Sequence, residues 1–96
     1  MIEYLVDVIT SNRDKNGNCY HVATITRTSD STAIRGLVDS PDNVPAYLYR
    51  AGVIFGQNRI YSTRSILPIR QFDRFTKGMK RIDALDVEKF VKEQES

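Results

Sequence analysis

The sequence holds one cysteine, one histidine, three prolines, five glycines and no tryptophan in 96 residues. A single cysteine, Cys19, rules out an intramolecular disulfide and fits a reducing cytosol. Free cysteine usually behaves as a small buried hydrophobe, and Cys19 is expected to be an inert thiol. A reactive thiol needs a nearby cation to lower its pKa, and His21, two residues on along one strand face, is the nearest candidate. That spacing is about 7 Å in an extended chain, too far for a direct Cys–His bond. His21 is therefore read as structural. With one His and one Cys, no zinc-type ligand spacing arises. Gly52, Gly56 and Gly78 are isolated, so no phosphate-cradling loop is present. Pro41-Asp42 matches the start of a nuclease signature, but no acid-x-Lys pair follows on a later strand. No enzyme activity, cofactor or metal is expected.

No apolar run reaches the roughly 18 residues that read as a membrane span. The opening Met-Ile-Glu-Tyr-Leu-Val-Asp-Val-Ile lacks a positive n-region and a small-residue cleavage site, and reads as a strand rather than a signal peptide. Charged residues make up 27% of the chain and hydrophobic residues 41%, the composition of one folded domain over residues 1–96 rather than a disordered tail.

The residues that are present give a fold. Ile2 to Ser11 alternates, with Ile2, Tyr4, Val6, Val8 and Thr10 on the predicted inner face. Asn16-Gly17 is a hairpin signal. Cys19 to Thr28 is the returning strand, and a two-residue turn sets Val8 against Ile25 and Thr10 against Ala23. Ser29-Asp30-Ser31-Thr32 is a polar turn. Ala33 to Val38 is a third strand with Gly36 as a bulge candidate. Asp42 or Asn43 caps a short helix, and Val44, Tyr47, Leu48 and Ala51 share its apolar face. Gly52 ends it in the left-handed position. Val53-Ile54-Phe55 returns the chain to the core, and Arg59 to Thr63 is a fourth strand with either Ile60 or Tyr61 inward. Ile69, Phe72, Phe75 and Met79 fit a helical stripe beginning at Pro68, whereas Ile66 to Phe72 fits an edge strand. The extended reading is preferred because Pro68 biases Leu67 away from the α region. Asp83 to Glu95 closes the chain as a helix capped by Asp83, with Ala84, Val87, Phe90 and Val91 inward. The predicted class is α+β: an antiparallel sheet of four to five strands starting with a β-meander, with the central and C-terminal helices on one face.

Charge is unevenly placed. Arg50 to Arg81 carries eight cations and one acid, Asp73, a local +7 in a chain of net +2. Tyr61, Phe72 and Phe75 lie among these cations. Residues 83–96 carry five acids and two lysines, −3, enough to offset part of the basic stretch. Two binding readings follow. Cations along an extended segment track phosphates while aromatics stack bases. Alternatively, Arg and Tyr form a protein-binding surface, with Tyr20, Tyr49, Arg50 and Tyr61 as further members. Against both stands the ordinary case of arginines on the solvated side of edge strands. No ribonucleoprotein motif, Gly-x-x-Gly loop, helix-turn-helix or zinc finger is present.

Asn12-Arg13-Asp14, Gly17-Asn18-Cys19-Tyr20-His21 and Ala23-Thr24-Ile25-Thr26 together resemble the starts of small bacteriophage accessory proteins. The resemblance covers the first third of the chain. It implies a compact α+β module that binds and blocks a host protein or ribonucleoprotein complex, such as a CRISPR or other defence complex, in the bacterial cytoplasm. The expected function is non-enzymatic binding through Arg59, Tyr61, Arg64, Arg70 and Arg74, with single-stranded nucleic-acid binding as the alternative and a small Cys19/His21 enzyme third. No membrane partner is expected. An unsatisfied edge strand and an acidic closing helix both permit a homodimer, and neither requires one.

Overall fold

The computed structural model describes residues 2–53 and 58–95, without the side chains at positions 2, 58, 59, 94 and 95. Four strands form one sheet in the order β3-β2-β1-β4, from β1 (Ile2–Ser11), β2 (His21–Arg27), β3 (Ala33–Val38) and β4 (Asn58–Leu67). Three helices complete the described residues: α1 (Asn43–Arg50), α2 (Ile69–Thr76) and α3 (Ala84–Glu95). The α+β class holds. The antiparallel expectation holds for β1, β2 and β3 and fails at β4, which pairs with β1 in parallel. The chain returns the length of the sheet through the segment that contains α1, so β4 begins beside Ile2 and runs with β1 rather than against it.

The even residues of β1 enter the core as expected. Tyr4, Val6 and Val8 are buried, together with Ala23, Ile25 and Val38. The β1–β2 register is Val8 against Ala23 and Thr10 against His21, not the pairing that a two-residue Asn16-Gly17 turn would impose. The connection is longer because the Asp14 side chain organises it. Its Oδ1 accepts the N–H groups of Asn16 and Asn18, and its carbonyl accepts the Gly17 N–H. Only Gly17 there has positive φ, at 83°. The slip is two residues, and side chains alternate with period two, so every residue keeps its face.

α1 and α3 pack together on this core face. Val44, Leu48, Val87, Phe90 and Val91 join Tyr4, Val6 and Val8 in one cluster, with Ile60 half-buried against it. Phe90 meets Tyr4 edge-on, ring centroids 6.5 Å apart. Gly52, at φ 88°, ends α1 as the sequence indicates. Asp42 holds the N-cap position without a side-chain cap bond. At α3 the cap is reciprocal: Asp83 Oδ1 accepts the Asp86 N–H while Asp86 Oδ2 accepts the Asp83 N–H. Val53 is buried; the predicted inward placement of Ile54 and Phe55 falls outside the described residues.

The extended reading of residues 66–72 is corrected. β4 runs through Leu67, and α2 starts at Ile69 directly after Pro68, whose own ψ of 145° is extended. Proline keeps Leu67 out of the α region, and here that ends a strand rather than prolonging one. α2 lies on the face opposite α1 and α3. Phe72 is buried outside the main cluster, as is Val22. Phe75 meets Arg35, whose strand neighbours Ile34 and Gly36 point to the core side. The chain then runs along the outer edge of β3. Leu37 N–H donates to the Lys80 carbonyl at 2.9 Å, and Ile82 N–H donates to the Leu37 carbonyl at 3.0 Å. Gly36 is no bulge: it pairs in register with Ala23 and sits under this segment. The β3 edge is thus bonded at Leu37, while β4 ends the sheet on the other side.

Candidate binding surface

The predicted site residues divide between the two faces of the sheet. Arg64 pairs in register with Val8 and so lies on the core side, where Nη2 meets Asp42 Oδ1 at 3.3 Å. Both side chains are exposed, so the pair contributes little to stability. Tyr61 pairs with Leu5 and lies on the opposite side, 46% exposed. Arg59 is in the same strand, but its side chain is outside the described residues. Arg70 and Arg74 are on α2. At about 100° per residue they sit within about 40° of each other and nearly opposite Phe72. Phe72 is 2% exposed and pins the helix, so both guanidinium groups face solvent.

Ion pairing separates these cations further. Arg64 is engaged with Asp42, and Arg81 Nη1 donates to Asp39 Oδ1. Among the described residues no acid makes an ion pair with Arg70 or Arg74. The offset expected from the closing helix is small: its acids pair mainly within the helix, and Glu88 also feels a cation of the stretch, Arg50. Glu88 pairs with Lys92 and Glu93 with Lys89, both within α3. The Lys92 ammonium beside Glu88 holds that carboxyl below its usual range, with a smaller contribution from Arg50. Among the described residues, the acids that form ion pairs with the basic stretch come from the Asp39–Asp42 loop.

Two further residues join the α2 side of the sheet. The Arg35 guanidinium lies 5.4 Å from the Phe75 ring centre, and its Nε donates to Thr24 Oγ1 at 2.8 Å. Arg35 precedes the basic stretch in sequence, so charge counting passes over it; its strand alternation opposite Ile34 is the signal that places it. Tyr20 is 44% exposed, and its hydroxyl donates to Asp14 Oδ2 at 2.7 Å. That bond raises the Tyr20 pKa, with the charge of Asp73 on α2 adding to the shift. The same bond is the largest cause holding Asp14 below its usual range. Tyr49 is on α1 on the other side of the sheet, so Tyr20, Tyr49 and Tyr61 do not form one patch.

Cys19 is half-buried and lines a pocket of about 290 Å³ with His21, Val38, Asp39 and Arg81. The His21 Nδ1 is 2.9 Å from Thr10 Oγ1. Burial first, and the Arg64 charge second, lower the imidazole pKa. Among the described residues no three His, Cys, Asp or Glu side chains gather closely enough to hold a metal ion. Among the described residues no helix is long and apolar enough to cross a membrane.

The arrangement defines an α+β domain with one face built as a core and the other carrying a short cationic helix. No known protein family, curated protein or solved structure matches the chain.

Proposed function

We propose that the protein is a non-enzymatic binding module of the phage inhibitor type, acting in a bacterial host cytoplasm. Its outward α2 stripe docks on an acidic surface of a host protein or ribonucleoprotein complex and occludes it. The observation that carries this reading is the pair of exposed guanidinium groups, Arg70 and Arg74, on a helix pinned by Phe72 and without an acid partner among the described residues. Arginine presents a planar fork suited to bidentate contact with carboxylate or phosphate. Tyr61 and Arg35 on the same side of the sheet extend the contact. Arg64 is removed from it, because it lies on the other side against Asp42.

The test is capture of a stoichiometric complex from host lysate, followed by charge reversal. Arg70→Glu with Arg74→Glu is expected to abolish the complex while the fold survives, and Arg64→Glu to leave it intact. A complex that survives the double reversal removes α2 from the interface. If instead the purified protein binds single-stranded oligonucleotides with an affinity that falls linearly in log–log against salt, the direct nucleic-acid reading replaces this one.

A further inference from the structure

β4 differs from the other three strands. From Tyr61 to Ile66 every side chain is exposed, whichever face it occupies, and Ile66 is 69% exposed. One backbone contact fixes which way its polar groups point. Asn12 N–H donates to the Leu67 carbonyl, so Leu67 faces β1. Backbone groups of successive strand residues point to opposite sides, so Tyr61, Thr63 and Ser65 also bond toward β1. Ile60, Ser62, Arg64 and Ile66 therefore present N–H and C=O to the open edge, where no described strand pairs with them.

We infer that this edge takes a second copy of the chain, β4 against β4, antiparallel about a twofold axis through Thr63. Outward-facing groups meet each other only when the axis passes through a residue. An axis at Arg64 sets Arg64 against itself and Ile60 against Pro68, which has no N–H to give. An axis at Ser62 sets Ile66 against Asn58. An axis at Thr63 sets Ile60 against Ile66 of the second copy and Ser62 against its Arg64, with the same two pairs repeated by symmetry. All four outward residues are then used, in about eight backbone hydrogen bonds. Thr63 faces its own copy across the axis, with its hydroxyl donating to Asp7 Oδ1 of its own chain. The two Arg64 side chains stand diagonal to one another, and each keeps Asp42 within 3.3 Å to offset its charge. This self-complementarity in hydrogen bonds and apolar contact, with the charge of each Arg64 offset inside its own copy by Asp42, favours a second copy over an unrelated strand. The contact leaves Arg70 and Arg74 free, so it stands independently of the α2 docking reading.

The test is sedimentation across micromolar to millimolar concentration with the full chain. The wild type is expected to pass from monomer to dimer. Ser62→Pro removes an outward N–H without cutting a β1–β4 bond, so it is expected to stay monomeric with an unchanged circular dichroism spectrum. Two further variants read the register without a proline. Ser62→Glu faces Arg64 of the second copy twice and is expected to raise dimer affinity on the order of tenfold, an effect that salt removes. Ser62→Arg is expected to lower it by a similar factor. A wild type that remains monomeric throughout overturns the proposal. A dimer that survives Ser62→Pro, or Glu and Arg variants that shift affinity in the same direction, overturns it equally.

Discussion

Replacing Gly36 by alanine tests the cover over the β3 edge. A Cβ placed on Gly36 stands 2.5 Å from Ile82 Cγ2, 2.7 Å from the Lys80 carbonyl oxygen and 3.2 Å from the Ile82 nitrogen. The Ile82 methyl can turn aside by changing rotamer. The Lys80 carbonyl belongs to the backbone, and its oxygen accepts the Leu37 N–H at 2.9 Å. Moving it away also strains the return bond from Ile82 N–H to the Leu37 carbonyl. Overpacking of this kind costs about 1–3 kcal/mol, and two weakened backbone bonds add about 1 kcal/mol each. The lower entropy of the unfolded alanine chain returns at most about 1 kcal/mol. The net loss is therefore roughly 2–4 kcal/mol, read by urea denaturation or as a fall in Tm of about 10 °C or more. Hydrogen exchange at the Leu37 and Ile82 amides is expected to accelerate. Gly78→Ala is the control. It has open space around it but φ of 76°, and costs about 1–2 kcal/mol through backbone conformation alone. A Gly36→Ala protein within about 0.5 kcal/mol of wild type, with unchanged exchange at Leu37 and Ile82, would refute the packing argument.

Two other perturbations report on α2 and on the loops. Phe72→Ala is expected to cost about 3–5 kcal/mol in urea unfolding, because the ring is buried and an eight-residue helix has little stability of its own; Phe75→Ala, at a ring 38% exposed, is expected to cost far less. The folded pKa values of Asp14, Asp83 and Glu88 are depressed, chiefly by the Tyr20 hydroxyl, the Asp86 N–H and Lys92 respectively. Their contribution to stability is thus fully present above the ordinary carboxylate pKa of about 4 and is lost as pH falls through the folded values. Asp14→Asn combined with Asp83→Asn is expected to flatten the acid limb of a stability-versus-pH profile, and an unchanged limb would show that these bonds do not set it.

What the sequence shows plainly is what local chemistry determines. The alternation of Tyr4, Val6 and Val8 places the core face of β1. The spacing of Val44 and Leu48, with Gly52 after them, places α1. Asp83 starts α3. The misses lie where a specific side-chain contact or the path of the chain overrides a local preference. The β1–β2 register depends on Asp14 drawing the loop around its carboxylate, which overrides the turn preference of Asn16-Gly17. The direction of β4 depends on how the chain returns after β3, and no residue in β4 encodes it. Pro68 gives a correct constraint on Leu67 that is compatible with both a strand end and a longer strand. The basic stretch is visible as composition, but its division between two faces follows from strand parity and from the acids at Asp39 and Asp42. Arg35 joins the α2 side only because β3 carries it there.

The unequal treatment of the two sheet edges has a consequence for assembly. Strand addition needs a run of open backbone groups on each participant, and the two edges offer unequal runs. Along β3 the ladder is interrupted at Leu37, where Lys80 and Ile82 already hold both backbone groups, whereas no described strand lies beside β4. Two copies joined through β4 would leave their β3 edges facing outward, each interrupted at Leu37. The residues Lys80–Ile82 thus work against a polymerisation that the rest of the sheet would permit.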